Sequence, residues 1–182
     1  MRKTDRPALI KQQGEKIVTM EEFSVTELMV TPKGEKVLDF GQEITGYVRF
    51  KVNGRRGQKI RLTCAEMLDR DGNFYNENYR SAKSEMVYTC KDGVQEWNPT
   101  LTFYGFRYIR VEGIDRVVPE DFTAVVLCSD MRRIGRLKCA LPEVDRLFEN
   151  VVWGQKGNFL DIPTDCPQRD ERQGWTGDAQ VF

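Results

Sequence analysis

Residues 46–52, GYVRFKV, and residues 59–64, KIRLTC, alternate apolar with polar side chains along the chain. Successive side chains of a β-strand point to opposite faces of the sheet, so this period of two predicts strands with one buried face. Residues 53–57, NGRRG, lie between the two stretches. They predict a hairpin loop, because glycine readily supplies the positive φ that tight hairpin turns need.

The same pattern of short strands continues toward the C-terminus. Residues 86–90, 103–111 and 122–128 are rich in β-branched and aromatic side chains, and turn residues separate them. Short strands without helices between them predict an antiparallel β-sandwich rather than a βαβ fold. We assign the sandwich to residues 30–130, after an N-terminal linker and strand at residues 1–29. Its expected core includes Val48, Phe50, Ile60, Leu62, Phe106, Ile109, Val125 and Leu127.

The periodicity becomes helical after the sandwich. Apolar side chains recur at the spacing of one helix face, at Leu141, Val144, Leu147 and Val151. Pro142 suits the first turn of a helix, where its missing N–H costs nothing. We therefore expect residues 131–182 to begin a second, helical unit, so that the fold is mainly β with one helix after the sandwich.

The overall charge balance limits the classes of partner. Lys and Arg together number 28, as do Asp and Glu, so the net charge is zero. Proteins that bind nucleic acid hold its phosphates with excess Lys and Arg, which argues against that partner. No apolar run approaches the ~20 residues that span a bilayer, and no apolar stretch follows the basic residues 1–6 as in a secretory signal. We expect no membrane association and a cytoplasmic location.

Cysteine and histidine usage narrows the chemistry. The five cysteines show no CxxC spacing, which favours free thiols over disulfides. The chain has no histidine, so it cannot contain a Ser-His-Asp triad or a His-ligated zinc site. Residues 69–73, DRDGN, place their glycine too early for an EF-hand loop and predict a simple turn. We expect no metal site and no cofactor.

Residues 164–178, TDCPQRDERQGWTGD, form the segment richest in functional groups, which we call the motif loop. It holds four carboxylates, two arginines, one tryptophan and two glycines, without the periodicity of a buried helix or strand. Carboxylates accept hydrogen bonds from sugar hydroxyls, and an indole stacks on the C–H face of a sugar ring. This composition favours a carbohydrate site, and the alternative is a solvated loop held by salt bridges.

The motif loop resembles the signature of bacterial α-L-rhamnosidases of glycoside hydrolase family 78. Residues 39–42, 78–83, 102–108 and 153–164 resemble the same family, so the resemblance extends from about residue 30 to the end. Gln173 departs from the pattern, which often has an aliphatic residue there. The resemblance implies a β-sandwich followed by the first helix and active-site loop of a truncated (α/α)6 barrel.

The resemblance also implies roles for individual side chains. It places the general acid at Glu171. It assigns Asp165 and Asp178 to rhamnose hydroxyls and Trp175 to the sugar ring or its C6 methyl group. Arg172 is expected to contact a hydroxyl or to orient a carboxylate. The implied substrates are glycosides with terminal α-L-rhamnosyl residues.

The implied mechanism is inverting and needs a second carboxylate. In this family the general base is a glutamate from a later part of the barrel, so we expect the 182-residue chain alone to be inactive. A general acid must keep a proton near neutral pH, which a neighbouring guanidinium opposes. We therefore expect Arg169 and Arg172 to pair with aspartates or substrate rather than with Glu171.

The sequence leaves a non-enzymatic alternative open. The sandwich could be a non-catalytic carbohydrate-binding module, or a structural module that braces a neighbouring domain. In the first case, ligand contacts would lie on sandwich aromatics such as Trp97 and Tyr104. In the second case, the purified protein would bind no sugar.

Overall fold

The computed structural model describes residues 8–180. The strands are β1 (Ile17–Ser24), β2 (Glu27–Val30), β3 (Lys36–Gly54), β4 (Lys59–Ala65), β5 (Met67–Leu68), β6 (Phe74–Tyr75), β7 (Glu85–Thr89), β8 (Gly93–Trp97), β9 (Tyr104–Glu112), β10 (Phe122–Ser129), β11 (Phe159–Leu160) and β12 (Ile162–Pro163). The helices are α1 (Pro142–Asn158) and α2 (Thr176–Ala179), and single 3-10 turns occupy Glu77–Tyr79 and Pro119–Asp121.

The long strand β3 connects the two layers of an antiparallel β-sandwich. Its first part pairs with β2 and β9, and its later part pairs with β10 and β8. The register with β9 shifts between Asp39 and Ile44, where Gly41 adopts a φ of 74°. β4 and β7 extend the β9 side, and β1 extends the β10 side. The predicted fold class, mainly antiparallel β with one substantial helix, is confirmed.

The sandwich core agrees with the alternation in the sequence, with one exception. The expected core side chains that are buried are Val48, Phe50, Ile60, Leu62, Phe106, Ile109 and Val125. Leu127 is only half-buried. It lies on the face of β10 opposite Val126, where it lines a groove with Ile17 and Tyr47. Val125, on the same face, is buried, so the partial exposure of Leu127 reflects the local groove, which a continuous apolar run cannot reveal.

The predicted hairpin at residues 53–57 is wrong. The end of β3 pairs with β8, whereas β4 pairs with β7 and β9, so β3 and β4 are not partners. Gly57 does have a positive φ, 85°, and its N–H donates to the carbonyl of Cys90. The alternation identified both strands, but their pairing depends on the change of layer within β3.

The turn predicted at residues 69–73 joins β5 to β6. One Asp69 carboxylate oxygen, Oδ1, accepts the backbone N–H groups of Asp71 at 2.9 Å and Asn73 at 2.7 Å. Gly72 adopts a φ of 81°, which glycine tolerates without strain. This carboxylate therefore stabilises the turn itself.

Helix α1 contacts the sandwich near its C-terminal end. Pro142 lies in its first turn, as predicted, and the helix continues to Asn158. The Trp153 indole N–H donates to the carbonyl of Glu43 at 2.7 Å, and its ring packs edge-on against Phe23. The side chains of the first turns, including Leu141 and Leu147, are exposed. No helix within residues 8–180 is long and apolar enough to cross a membrane.

Candidate functional site

Hydrogen bonds close the motif loop at its base. The backbone N–H and the hydroxyl of Thr164 both donate to the carbonyl of Asn158, at 2.6 and 2.9 Å. Thr164 also forms an isolated antiparallel bridge with Gly174, and the N–H of Trp175 donates to the carbonyl of Pro163. The loop therefore leaves and returns at one point beside the end of α1, and this holds its charged residues in a defined place.

The middle of the motif loop lies directly on strand β9. A Cβ at Gly105 would lie 2.8 Å from Cβ and 3.0 Å from the backbone nitrogen of Gln168. Only glycine at position 105 therefore allows the loop to approach the strand this closely. The buried Tyr79 hydroxyl donates to the carbonyl of Gly105 at 2.8 Å, which helps to fix the same stretch of β9.

Glu171 is held between two arginines. Nη1 of Arg80 lies 2.6 Å from its Oε1, and Nη2 of Arg169 lies 2.6 Å from its Oε2. The expectation that Arg169 would avoid Glu171 is therefore wrong. Nε of Arg169 donates to the Sγ of Cys166, and this contact directs the guanidinium toward Glu171 rather than toward Asp165, which is 3.7 Å away.

Arg169 also ties Glu171 to Asp165 and Cys166. One carboxylate oxygen of Asp165, one of Glu171 and the Sγ of Cys166 all lie within 4.8 Å of one another. The Arg169 guanidinium contacts each of the three side chains. The Cys166 thiol donates to Asp165 at 3.0 Å, and burial is the main cause that raises the pKa of Cys166. The Arg169 guanidinium supplies the positive charge in this group.

Asp170 points away from this group, toward the sandwich. The Ser81 hydroxyl donates to its Oδ2 at 2.6 Å, and the Ser81 backbone N–H lies 3.4 Å from the same oxygen. The hydroxyl hydrogen bond is the main cause that holds the pKa of Asp170 below its ordinary value. The neighbouring carboxylates of Asp170 and Glu171 therefore have different hydrogen-bond partners, although Arg80 lies near both.

The remaining predicted site residues are more dispersed. Arg172 donates to the carbonyl of Phe103 at 2.9 Å and stacks over its ring, so it anchors the loop to the sandwich. Burial lowers the pKa of this guanidinium. The Trp175 side chain is 47% exposed. Asp178 belongs to α2, but its side chain lies outside the described part of the structure. The structure thus brings together Glu171 and Asp165, and it places Arg172 elsewhere.

A cavity of about 210 Å³ lies between the sandwich, α1 and the motif loop. Glu43, Glu66, Asp165 and Gln168 are among the residues that line it. Both carboxyl oxygens of Glu43 are buried and have no hydrogen-bond partner among the described residues. Burial, followed by repulsion from Glu66, raises the pKa of Glu43 to about 9. Glu43 is therefore a neutral carboxylic acid near pH 7.

Sequence patterns did not indicate that Arg80, Ser81 and Glu43 belong to this region. Arg80 and Glu171 are 91 positions apart in the chain, and Ser81 and Asp170 are 89 apart. No local pattern signals such contacts. The only indication was that residues 78–83 resemble the same family as the motif loop, which relates both segments to one molecule without pairing them.

Comparison with known proteins matches both parts of the chain. Residues 29–128 match the family model of the bacterial α-L-rhamnosidase concanavalin-like domain, and this match alone covers more than half of the chain. Residues 132–182 match the model of the bacterial α-L-rhamnosidase 6 hairpin glycosidase domain. This chain belongs to the bacterial α-L-rhamnosidase family.

Individual family members give the same result. The chain is 45% identical over 154 residues to an α-L-rhamnosidase of Alteromonas sp. (strain LOR), covering 82% of this chain and 17% of that protein. It is 39% identical over 181 residues to an α-L-rhamnosidase of Streptomyces avermitilis, covering 98% of this chain and 18% of the relative. The chain therefore spans less than a fifth of the length of the curated rhamnosidases it matches.

Solved rhamnosidase structures share the fold described above. The Streptomyces avermitilis α-L-rhamnosidase in complex with L-rhamnose superposes with a TM-score of 0.88 at 38% identity, over 96% of this chain and 17% of that one. The native α-L-rhamnosidase from Aspergillus terreus superposes with a TM-score of 0.85 at 41% identity, over 92% of this chain and 20% of that one.

Proposed function

We propose that this chain carries the acid-bearing part of an α-L-rhamnosidase active site, which hydrolyses terminal α-L-rhamnosyl residues from glycosides. The observation that carries the proposal is the motif loop itself. In a member of this family, one closed loop holds Glu171 and Asp165 in a single group with Arg169 and leaves the Trp175 ring half exposed. Such a loop offers a proton donor, hydroxyl acceptors and an apolar ring to one sugar.

Glu171 is the proposed general acid, and it protonates the oxygen of the leaving group. In the arrangement described here both of its oxygens accept hydrogen bonds from guanidinium groups. Proton donation therefore requires one arginine to move away when substrate binds. General acid catalysis typically contributes a factor of ~10²–10⁴ to the rate, so this rearrangement would control a large part of the catalytic rate.

Asp165 is not placed to act as the general base. Its carboxyl oxygen lies within 4.8 Å of the Glu171 oxygen, on the same loop, with Arg169 contacting both. Carboxyl pairs of inverting glycosidases are roughly 6.5–9.5 Å apart, and those of retaining ones roughly 5–5.5 Å. We propose that Asp165 accepts a rhamnose hydroxyl, that the mechanism is inverting, and that the base belongs to a part of the enzyme outside this chain.

The apolar contact falls to Trp175 in this proposal. Rhamnose is a 6-deoxy sugar, so a selective site must offer an apolar wall to its C6 methyl group. A tryptophan ring that remains 47% exposed beside the loop base can supply that wall. Asp178, one turn of α2 further on, is proposed to accept a second hydroxyl. Arg172 contributes through its anchor on Phe103.

Rhamnose binding to the purified chain tests this proposal. Saturation-transfer NMR should show L-rhamnose signals that Trp175→Ala and Asp165→Asn remove and Glu171→Gln retains, because glutamine keeps the shape of the acid. Trp97→Ala is the matched control, since that side chain belongs to the sandwich. If Trp97→Ala removed the signals and Trp175→Ala did not, the chain would be a carbohydrate-binding module. No rhamnose signal at all would indicate a structural module.

A further inference from the structure

A turn of the sandwich, residues 77–81, contacts the motif loop through Arg80 and Ser81. Its residues are fixed by buried contacts. Tyr79 is 1% exposed and donates to the Gly105 carbonyl, and the Asn78 amide donates to the Glu66 carboxylate at 2.9 Å. The turn therefore presents its next two residues, Arg80 and Ser81, from a rigid base.

The backbone of Arg80 adopts a conformation that favours glycine. Its φ is 57° and its ψ is −121°, directly after the 3-10 turn at Glu77–Tyr79. Non-glycine residues keep such a conformation only where the surroundings over-determine it, and such positions cluster at functional sites. At this position the side chain is directed to the motif loop, where Nη1 contacts Oε1 of Glu171.

Stability of the fold does not account for the contact. The Arg80 side chain is 56% exposed and that of Glu171 is 35% exposed. Ion pairs this exposed contribute little to folding because water and salt screen them. What the pair does determine is where the Glu171 carboxyl group points, since Arg80 holds one oxygen and Arg169 holds the other.

We propose that Arg80, supported by Ser81 on Asp170, is a positioning residue that orients the Glu171 carboxyl group from the sandwich. This inference rests on the proposed function of Glu171 as the acid. Arg169 belongs to the motif loop and moves with Glu171, whereas Arg80 belongs to the sandwich. A small displacement of the loop against the sandwich therefore breaks the Arg80 contact first and frees one carboxyl oxygen for a proton.

The two-sided arrangement makes the sandwich a part of the active site. Ser81 binds Asp170 through its hydroxyl and its backbone N–H, and Arg80 binds Glu171. The turn therefore contacts two consecutive acidic residues of the loop. Arg80 also lies 3.9 Å from Asp170, between the two. Loss of Ser81 should loosen the grip without removing the charge of Arg80, which separates positioning from electrostatics.

NMR of the full chain tests this inference directly. With ¹³C-labelled glutamate, the Glu171 carboxyl resonance is assigned by its loss in Glu171→Gln. We expect Arg80→Met to shift and broaden this resonance at neutral pH, and Arg80→Lys to restore most of the parent shift. The Arg80 guanidinium protons should give a slowly exchanging signal that Glu171→Gln removes. Ser81→Ala should raise the titration midpoint of Asp170 toward its ordinary value.

Arg61→Met is the matched control, because Arg61 forms an exposed ion pair with Glu85 on the same sandwich. It should leave the Glu171 resonance unchanged. The inference is overturned if Arg80→Met leaves that resonance in place, or if Arg61→Met moves it equally. Denaturation midpoints of each variant show whether the fold is intact, and Ser81→Ala provides the test if Arg80→Met unfolds. This experiment measures the contact between Arg80 and Glu171 and not the binding of rhamnose. Its outcome is therefore independent of the rhamnose-binding test.

Discussion

At the scale of one residue, Glu43 is an energetically unfavourable buried carboxyl group at the interface between the sandwich and α1. Its two carboxyl oxygens are buried without a partner among the described residues, while its backbone carbonyl accepts the Trp153 indole N–H. Burial and the nearby Glu66 raise its pKa from 4.5 to about 9. The folded state therefore holds this proton over a pH range in which the unfolded state has released it.

The sign of the pH dependence follows from that difference. Below about pH 4.5 Glu43 is protonated in both states, so its ionisation does not affect stability. Between about pH 4.5 and pH 9 the unfolded state is increasingly favoured as the pH rises. We expect Glu43→Gln to stabilise the chain by on the order of 3 kcal/mol near pH 7, with little gain near pH 4. Urea denaturation at both pH values measures this.

Glu21→Gln is the matched control for Glu43→Gln, because the side chain of Glu21 is exposed on β1. It should leave the pH dependence of the unfolding free energy unchanged. An equal gain from Glu43→Gln at both pH values would show that Glu43 is ionised in the folded state, contrary to this account.

Asp39 illustrates the opposite case, a buried carboxylate that is fully paired. Arg107 donates to both of its oxygens, at 2.8 and 2.7 Å, and the Gly41 N–H adds a third hydrogen bond. Burial opposes ionisation of Asp39, but these hydrogen bonds outweigh it and hold its pKa below the ordinary value. The pair fixes β3 to β9 next to the point where the register between the two strands shifts.

Arg107→Met should leave Asp39 buried without its partner. We expect a loss of about 3 kcal/mol near pH 7, the lower end of the range for breaking a buried ion pair, since Arg107 itself is 39% exposed. A depressed pKa contributes stability that is lost as pH falls, so the difference from the parent should shrink below about pH 4. Arg49→Met, which breaks the pair with the exposed Glu22, should cost clearly less than Arg107→Met does. Equal losses from both substitutions would contradict the role of burial.

At the scale of elements, two glycines of α1 allow the effect of packing against the sandwich to be distinguished from the effect of helix propensity. A Cβ at Gly157 would lie 3.0 Å from Oγ1 of the buried Thr45 on β3, whereas a Cβ at Gly154 would meet nothing within 4 Å. Both positions lie inside the helix. Of these two glycines, Gly157 is therefore the one that lies close to β3.

The pair Gly154→Ala and Gly157→Ala tests that packing. Alanine is favoured over glycine within helices by about 1 kcal/mol, so Gly154→Ala should raise the thermal midpoint. Gly157→Ala gains the same propensity but must displace Thr45, and we expect a smaller gain or a net loss. Equal increases would show that α1 does not rest on β3 as described.

At the scale of the whole molecule, local sequence patterns predicted the secondary-structure elements but not the contacts between them. The alternation around Val48 and Ile60 and the proline at 142 depend on neighbouring residues, and they identified β3, β4 and α1. The layer change within β3 and the grip of Arg80 on Glu171 depend on contacts between distant segments. The resemblance of the motif loop to a family supplied the site residues, but not the sandwich residues that hold them.

The chain spans less than a fifth of the length of the curated rhamnosidases that it matches. The proposed acid lies within the chain and the proposed base does not. The isolated chain should therefore release no more phenol from an aryl α-L-rhamnoside than its Glu171→Gln variant does. Catalysis should appear when this chain replaces the segment it matches in the Streptomyces avermitilis enzyme.

The most direct test is the effect of Glu171→Gln in that chimera on two substrates with different leaving groups. For a natural rhamnoside, whose leaving alcohol needs protonation, we predict a fall in kcat of about 10²–10⁴ with KM nearly unchanged. For an aryl rhamnoside with an acidic leaving group, the fall should be much smaller. Equal rates for variant and parent on the natural rhamnoside would show that Glu171 is not the acid.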